Sequence, residues 1–282
     1  MYSQHLADQA AELLARLRER RPLVHHITNN VTVNDVANIT LVIGALPVMA
    51  PSSQEAAEMA AHADALVLNI GTPHADQLEA MVLAGLTANR RGKPIVMDPV
   101  GVGTTRLRTD GAKRLLSQVR LTIVRGNAGE IGRLAGLGGE VRGVESIVAP
   151  DAAGTTAQLA KDMGLIAAAT GKRDHISGPS GALVVDNGHP MLATVVGTGC
   201  MATAVIGCFV AVADDPLTGT AAGLACFGLA GELAVAESSG PGSFKVGLFD
   251  RLYALTPEIV SHRARIAYAA EAPSGDDEAD VA

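Results

Sequence analysis

The chain has 282 residues, 48% hydrophobic but only 2% aromatic, with four Phe, three Tyr and no Trp. It is long enough to bury a large core, which Ala, aliphatic residues and 31 Gly must build. A formal charge of −7 and so few rings exclude the basic footprint and stacking platforms of a nucleic-acid binder.

Residues 3–20 carry the apolar period of an amphipathic helix closed by Pro22; with acidic residues in place of a basic start and an apolar run, it is no signal peptide. An apolar piece (Leu23–Ile27), a helix near 34–44, a short strand at 46–49 and a helix at 52–63 follow. ALVLNI (65–70), PIVMD (94–98) and LTIV (121–124) are continuous apolar runs with helices between them, the pattern of a parallel sheet covered on both faces. The Gly-rich stretch 136–143 reads as a loop. Beyond 165, LIAAAT, DHISG, ALVVD and PMLAT lie close together, and Asp186-Asn187-Gly188 between the last two signals a hairpin. Antiparallel strands are therefore expected to extend the parallel sheet. Helices follow at 200–213, 217–237, 246–254 and 257–265. The apolar stretch 200–213 is too short to span a bilayer, so no membrane segment is expected. Glu271, Asp276, Asp277, Glu278 and Asp280 end the chain without Lys or Arg; without them 22 basic residues face 24 acidic ones. This predicts one domain over 1–265 and an acidic, disordered tail over 266–282.

In open α/β sheets ligands bind beyond the carboxyl ends of the strands. There the sequence places Asp98-Pro99-Val100-Gly101, then Arg125-Gly126-Asn127-Ala128-Gly129-Glu130, Thr170-Gly171 and Gly197-Thr198-Gly199-Cys200. The last of these opens a helix whose first N–H groups suit an anion, either as a phosphate cradle or simply as a Gly-rich turn. A helix N-terminus lowers a thiol pKa, which makes Cys200 a candidate thiolate. Cys208 and Cys226 belong to the core, and the lack of CxxC spacing suits a reducing cytoplasm. Asp98 and Glu130 fit two readings: turn and helix caps, with Asn127 as N-cap, or a water-mediated Mg²⁺ site. Arg125 beside them has the fork to grip a phosphate. His25 and His26 point apart in a strand and do not chelate.

Taken in order, these segments resemble the hydroxyethylthiazole kinase family. The likeness runs from Pro22 to Leu255 and rests on PLVHHITNNVTVNDVAN (22–38), GALPVMAPSSQE (44–55), ALVLNIGT (65–72), MDPVGVG (97–103), VRGNAGEI (124–131), ATGKRD (169–174), NGHPML (187–192), VGTGC (196–200) and GPGSF (240–244). It implies a ribokinase-like three-layer α/β sandwich, with helices on both faces of a mostly parallel sheet that an antiparallel hairpin extends. The implied reaction is ATP-dependent phosphorylation of the hydroxyl of 4-methyl-5-(2-hydroxyethyl)thiazole, in thiamine salvage. By position, Met49, Asn29 and Gly197 would contact the substrate, Arg125 and Thr170 the ATP, and Asp98 and Glu130 the Mg²⁺. The Gly197–Cys200 amides would form the anion hole, and Cys200 stands where related sugar kinases carry a catalytic Asp. A cytoplasmic homotrimer with sites between subunits is implied as well.

Other ribokinase-like enzymes, a hydroxymethylpyrimidine kinase or an ATP-dependent dehydratase of hydrated NAD(P)H, are the nearest alternatives. Thr28-Asn29-Asn30 and PVMA match the thiazole kinases specifically. A non-catalytic thiazole sensor would have no use for Asp98, Arg125, Glu130 and the GTGC turn together. With so few rings to stack on it, a thiazole is expected to lie on aliphatic groups and the thioether of Met49.

Overall fold

The computed structural model describes residues 1–136, 140–142, 145–148 and 151–271. α1 (Gln4–Arg20) is followed by β1 (Leu23–Ile27), α2 (Val33–Ile43), β2 (Leu46–Met49), α3 (Ala56–His62), β3 (Ala65–Asn69), α4 (Ala75–Arg90), β4 (Ile95–Asp98), α5 (Arg106–Gln118) and β5 (Ile123–Asn127). Next come α6 (Ala128–Leu134), the ribbon β6 (Glu140–Arg142) and β7 (Glu145–Val148), α7 (Ala152–Met163), β8 (Ile166–Thr170), β9 (Asp174–Gly178) and β10 (Gly181–Val185). α8 (Thr198–Val210), α9 (Pro216–Val235), α10 (Pro241–Ala254), α11 (Pro257–Arg263) and β11 (Ile266–Tyr268) complete the chain order.

The main sheet has nine strands in the order β11-β10-β9-β8-β5-β4-β3-β1-β2. From β2 to β8 every pairing is parallel; β8–β9, β9–β10 and β10–β11 are antiparallel. Strand side chains alternate between two apolar layers. Val67, Val96 and Ile123 join the core under α1, α2, α8, α9, α10 and α11. Leu66, Leu68, Ile95, Met97 and Val124 join the core under α3, α4, α5, α6 and α7. This parity has a functional consequence: Asn69, Asp98 and Arg125 all project towards the layer that contains α8.

The three-layer expectation holds, and four local readings are corrected. Asp186-Asn187-Gly188 is no hairpin turn: Asn187 accepts from Arg265 N at 2.6 Å and donates to Arg263 O, while Gly188 N donates to Glu232 Oε1 at 2.8 Å. Pro190, which has no N–H for a ladder, opens a 3₁₀ turn over Pro190–Thr194 where a strand was expected. The hairpin turn lies at Pro179-Ser180, between Gly178 and Gly181. The boundary at 265 is also too early, because Ile266–Tyr268 pair with Leu183–Val185 as an edge strand. The acidic residues 272–282 lie outside the described residues. Of the expected loop 136–143, residues 140–142 form β6, while 137–139 and 143 lie outside the described residues. Finally, GPGSF begins α10: Pro241 occupies its first turn and Ser243 Oγ accepts from the N–H groups of Ser239 and Gly240.

α9 is long and apolar enough to cross a membrane by length and composition, but most of it is buried within the fold.

Candidate active site

Parallel pairing brings chemistry together at the carboxyl ends of the strands. Asn69 lies opposite Asp98 in the β3–β4 register, and Arg125 stands one step beyond the Met97–Val124 pair. Thr170 lies opposite Asn127. α8 then descends onto this edge from Gly197, and a cleft of about 540 Å³ opens between them. Its lining includes Asn29, Thr32, Asp98, Arg108, Arg125, Glu130 and Gly197 to Cys200.

Gly197 has φ of +91°, and a Cβ on it would overlap the Thr32 side chain. Only glycine fits there without strain. A Cβ on Gly199 would stand 2.8 Å from Arg125 Nη1, so the guanidinium lies directly against the first turn of α8. Cation and helix N-terminus thus face the same space, which is the arrangement that binds phosphate. Arg125 Nη2 donates to Thr170 Oγ1, and Nη1 lies 3.8 Å from Asp98 Oδ2. The buried Arg125 Nε has no hydrogen-bond partner.

Glu130 bears out the cap reading of its sequence context. Its Oε2 accepts from Asn127 N at 2.9 Å in a full capping box, and its Oε1 accepts from Gly101 N at 2.7 Å. It is therefore a helix cap, yet it also lines the cleft beside Asp98. Burial, then the charge of Asp98, pushes the Glu130 carboxyl up to about 7. Burial also raises Asp98, against the opposing pull of Arg125 and the hydrogen bonds from Thr203 and Asn69. Two buried, mutually repelling carboxylates share one guanidinium. Their oxygen donors and excess negative charge fit a hard divalent cation, although the described residues hold no cluster of three or more His, Cys, Asp or Glu suited to a metal.

The expectation of a thiolate at Cys200 is overturned. Burial, then the charge of Asp98, raises the thiol above its ordinary value despite the helix N-terminus. Its Sγ accepts from Asn29 Nδ2 at 3.3 Å. Met49 and Thr170 are not part of the cleft lining. Thr170 reaches the site through Arg125, whereas Met49 is half-buried at the end of β2, an outer strand of the sheet. His25 and His26 are buried and structural: His25 Nε2 bonds Ala50 O at 2.9 Å, His26 Nε2 bonds Thr40 Oγ1 at 3.1 Å, and burial depresses His26 to about 3.

Three polar residues escaped the sequence reading. Asn69 donates to Asp98 Oδ2 at 2.9 Å, Thr203 Oγ1 donates to the same oxygen at 3.0 Å, and Arg108 donates to Val100 O and Gly71 O. Asn69 had a signal. Its strand ends at Asn69, not at Ile70, which makes it a polar strand-end residue like Asp98. Thr203 and Arg108 lie inside helical patterns that give no cue.

A model of the hydroxyethylthiazole kinase family matches residues 14–258. The hydroxyethylthiazole kinase of Chloroflexus aggregans is 53% identical over 260 residues, which cover 92% of this chain and 94% of the relative. A solved structure of hydroxyethylthiazole kinase protein from Pyrococcus horikoshii OT3 superposes with a TM-score of 0.83 at 41% identity, over 92% of this chain and 98% of that one. A ribokinase-like superfamily protein from Enterococcus faecalis superposes with a TM-score of 0.61 at 12% identity, over 90% and 95% of the two chains, a likeness of fold alone. The architecture is ribokinase-like.

Proposed function

This chain belongs to the hydroxyethylthiazole kinase family and phosphorylates hydroxyethylthiazole in thiamine salvage; we propose that it does so in the cleft between α8 and the strand ends. ATP supplies the γ-phosphoryl group, and the primary hydroxyl of 4-methyl-5-(2-hydroxyethyl)thiazole accepts it. The observation that carries this reading is the convergence of Arg125 and the Gly197–Cys200 turn on one space beside Asp98 and Glu130.

Phosphoryl transfer asks a protein mainly for alignment and charge stabilisation. Arg125, seated by Thr170, grips the phosphates of ATP, and the backbone amides of residues 197–200 stabilise the charge on the transferring group. Asn29 and Gly197 face the thiazole alcohol. Cys200 orients that alcohol: burial holds the thiol above its ordinary range, so little thiolate is on hand to act as base, and in a loose transition state the alcohol proton leaves late. Asp98 and Glu130 would hold Mg²⁺ largely through water, and Mg²⁺ bound there would neutralise phosphate charge.

The protein works as a cytoplasmic homotrimer with sites between subunits. Supporting this are three free thiols and an apolar rim at the cleft, where Val31 and Val196 are 66% and 76% exposed. Met49, outside the lining of its own cleft, meets a thiazole only in such an assembly. A coupled assay of ADP release tests the substrate: hydroxyethylthiazole should drive turnover, whereas release driven by hydroxymethylpyrimidine or hydrated NADH instead would overturn the reading.

A further inference from the structure

The cleft contains a chain of side-chain amides whose orientation leaves no freedom. Asn29 Oδ1 accepts three hydrogen bonds, from Val31 N and Thr32 N at 3.0 Å and Thr32 Oγ1 at 3.1 Å. Its Nδ2 must then face the other way, and it donates to Asn69 Oδ1 at 2.9 Å and to Cys200 Sγ at 3.3 Å. Gly71 N also donates to Asn69 Oδ1, at 2.9 Å, so the oxygen of Asn69 is fixed as the acceptor on that side. The Asn69 Nδ2 is left to donate to Asp98 Oδ2 at 2.9 Å, an oxygen that also accepts from Thr203. Asp98 Oδ2 is thereby engaged by two donors, with Arg125 Nη1 a further 3.8 Å away, and Oδ1 is the oxygen that these contacts leave uncommitted.

We infer that Asn69 is a positioning residue for phosphoryl transfer, an amide bridge that sets Asn29 against Cys200 at one end and fixes the carboxylate of Asp98 through Oδ2 at the other. The inference rests on the functional reading above. Asn69 is 1% exposed and reaches neither phosphate nor thiazole, so it acts only through its neighbours. No other amide geometry serves both ends: an acceptor is needed towards Asn29 and Gly71, and a donor towards the carboxylate. Residues that orient cleft ligands in this way are typically worth about 10- to 100-fold.

The two ends separate by mutation. Asn69→Asp keeps the volume and both acceptor roles but puts an oxygen where the N–H faced Asp98 and adds a buried charge against that carboxylate. Asn69→Ala removes both ends. Thermal unfolding first identifies which variants are folded. Calorimetry then measures the Kd of hydroxyethylthiazole without nucleotide or metal, and steady-state kinetics measures kcat. For Asn69→Asp, the thiazole Kd should stay within about twofold while kcat falls about 10- to 100-fold. For Asn69→Ala, kcat should fall as far and the thiazole Kd should rise about tenfold as well, since Asn29 loses its anchor. Wild-type kcat in Asn69→Asp, or a wild-type thiazole Kd in folded Asn69→Ala, would overturn the inference; if Asn69→Ala does not fold, the Asn69→Asp split decides alone. A wild-type chain that neither binds nor phosphorylates the thiazole would instead overturn the functional reading, and this inference with it.

Discussion

Two pairs of carboxylates, one half-buried beyond β10 and one buried at the parallel strand ends, are treated in opposite ways. At the β10 end, Asp186 accepts a bidentate pair from Arg173 at 2.7 and 2.8 Å and a third bond from Tyr2 at 2.9 Å, while Arg265 pairs with Glu232 at 2.7 Å. Burial alone would raise Asp186, but the hydrogen bonds from Arg173 and Tyr2 outweigh it and hold the carboxyl below its usual range. In the cleft, Asp98 and Glu130 share one distant guanidinium, and burial leaves both raised. The first cluster neutralises itself and holds the fold. The second leaves two raised carboxylates lining an open cleft, the kind of uncompensated cluster that gathers at functional sites.

Breaking the comparison at its functional pole gives the largest effect. Arg125→Ala should lower kcat about 100- to 1000-fold in steady-state assays, because the guanidinium proposed to grip the phosphates of ATP is gone. At the structural pole, Arg173→Ala should lower stability by about 1–3 kcal/mol in chemical denaturation, with kcat and the thiazole KM within about twofold of wild type. A joint loss of activity there would erase the distinction.

Asp174 stands between the poles. It accepts from Gly171 N at 3.0 Å, and burial pushes its carboxyl up to about 7. From about pH 4 to 7 the folded chain keeps a proton that the unfolded chain has released, so this contribution to stability shrinks as pH rises and is gone above 7. Asp174→Asn keeps an acceptor without the charge. Relative to wild type it should gain on the order of 2 kcal/mol between pH 4 and 8, read from unfolding curves at several pH values. A difference that does not change with pH would refute the assignment. The smallest effect belongs to Cys200→Ala, which should lose only part of kcat, about tenfold or less, while Cys200→Asp should retain or raise it. Abolished turnover with thiazole binding intact would show that Cys200 does more than position the alcohol.

Much of this was legible because strand-end residues obey simple rules. Asp98, Arg125 and Glu130 each follow a continuous apolar run, and parallel pairing turns that linear pattern into one cleft. Glu130 carried two signals, helix cap and Mg²⁺ ligand; the capping box is present, and the carboxylate also lines the cleft beside Asp98. Asn187-Gly188 misled because a turn dipeptide says nothing about a distant partner: Glu232 and Arg265, 45 and 78 positions away, pull Asn187 out of a hairpin. The Cys200 thiolate failed for a related reason, since helix position is local whereas burial and the Asp98 charge come from tertiary packing. Asn69 was readable in principle, but its place in the amide chain depends on three strands that only the fold brings together.

The most direct test follows phosphorus through the reaction. With ATP, Mg²⁺ and hydroxyethylthiazole, ³¹P NMR should show one thiazole monophosphate formed for each ADP by the wild-type chain, while Asp98→Ala should need much more Mg²⁺ to do the same. ADP accompanied by inorganic phosphate in place of the thiazole ester, or an Asp98→Ala chain with an unchanged Mg²⁺ titration, would contradict a cleft built to carry phosphoryl from ATP to the thiazole alcohol.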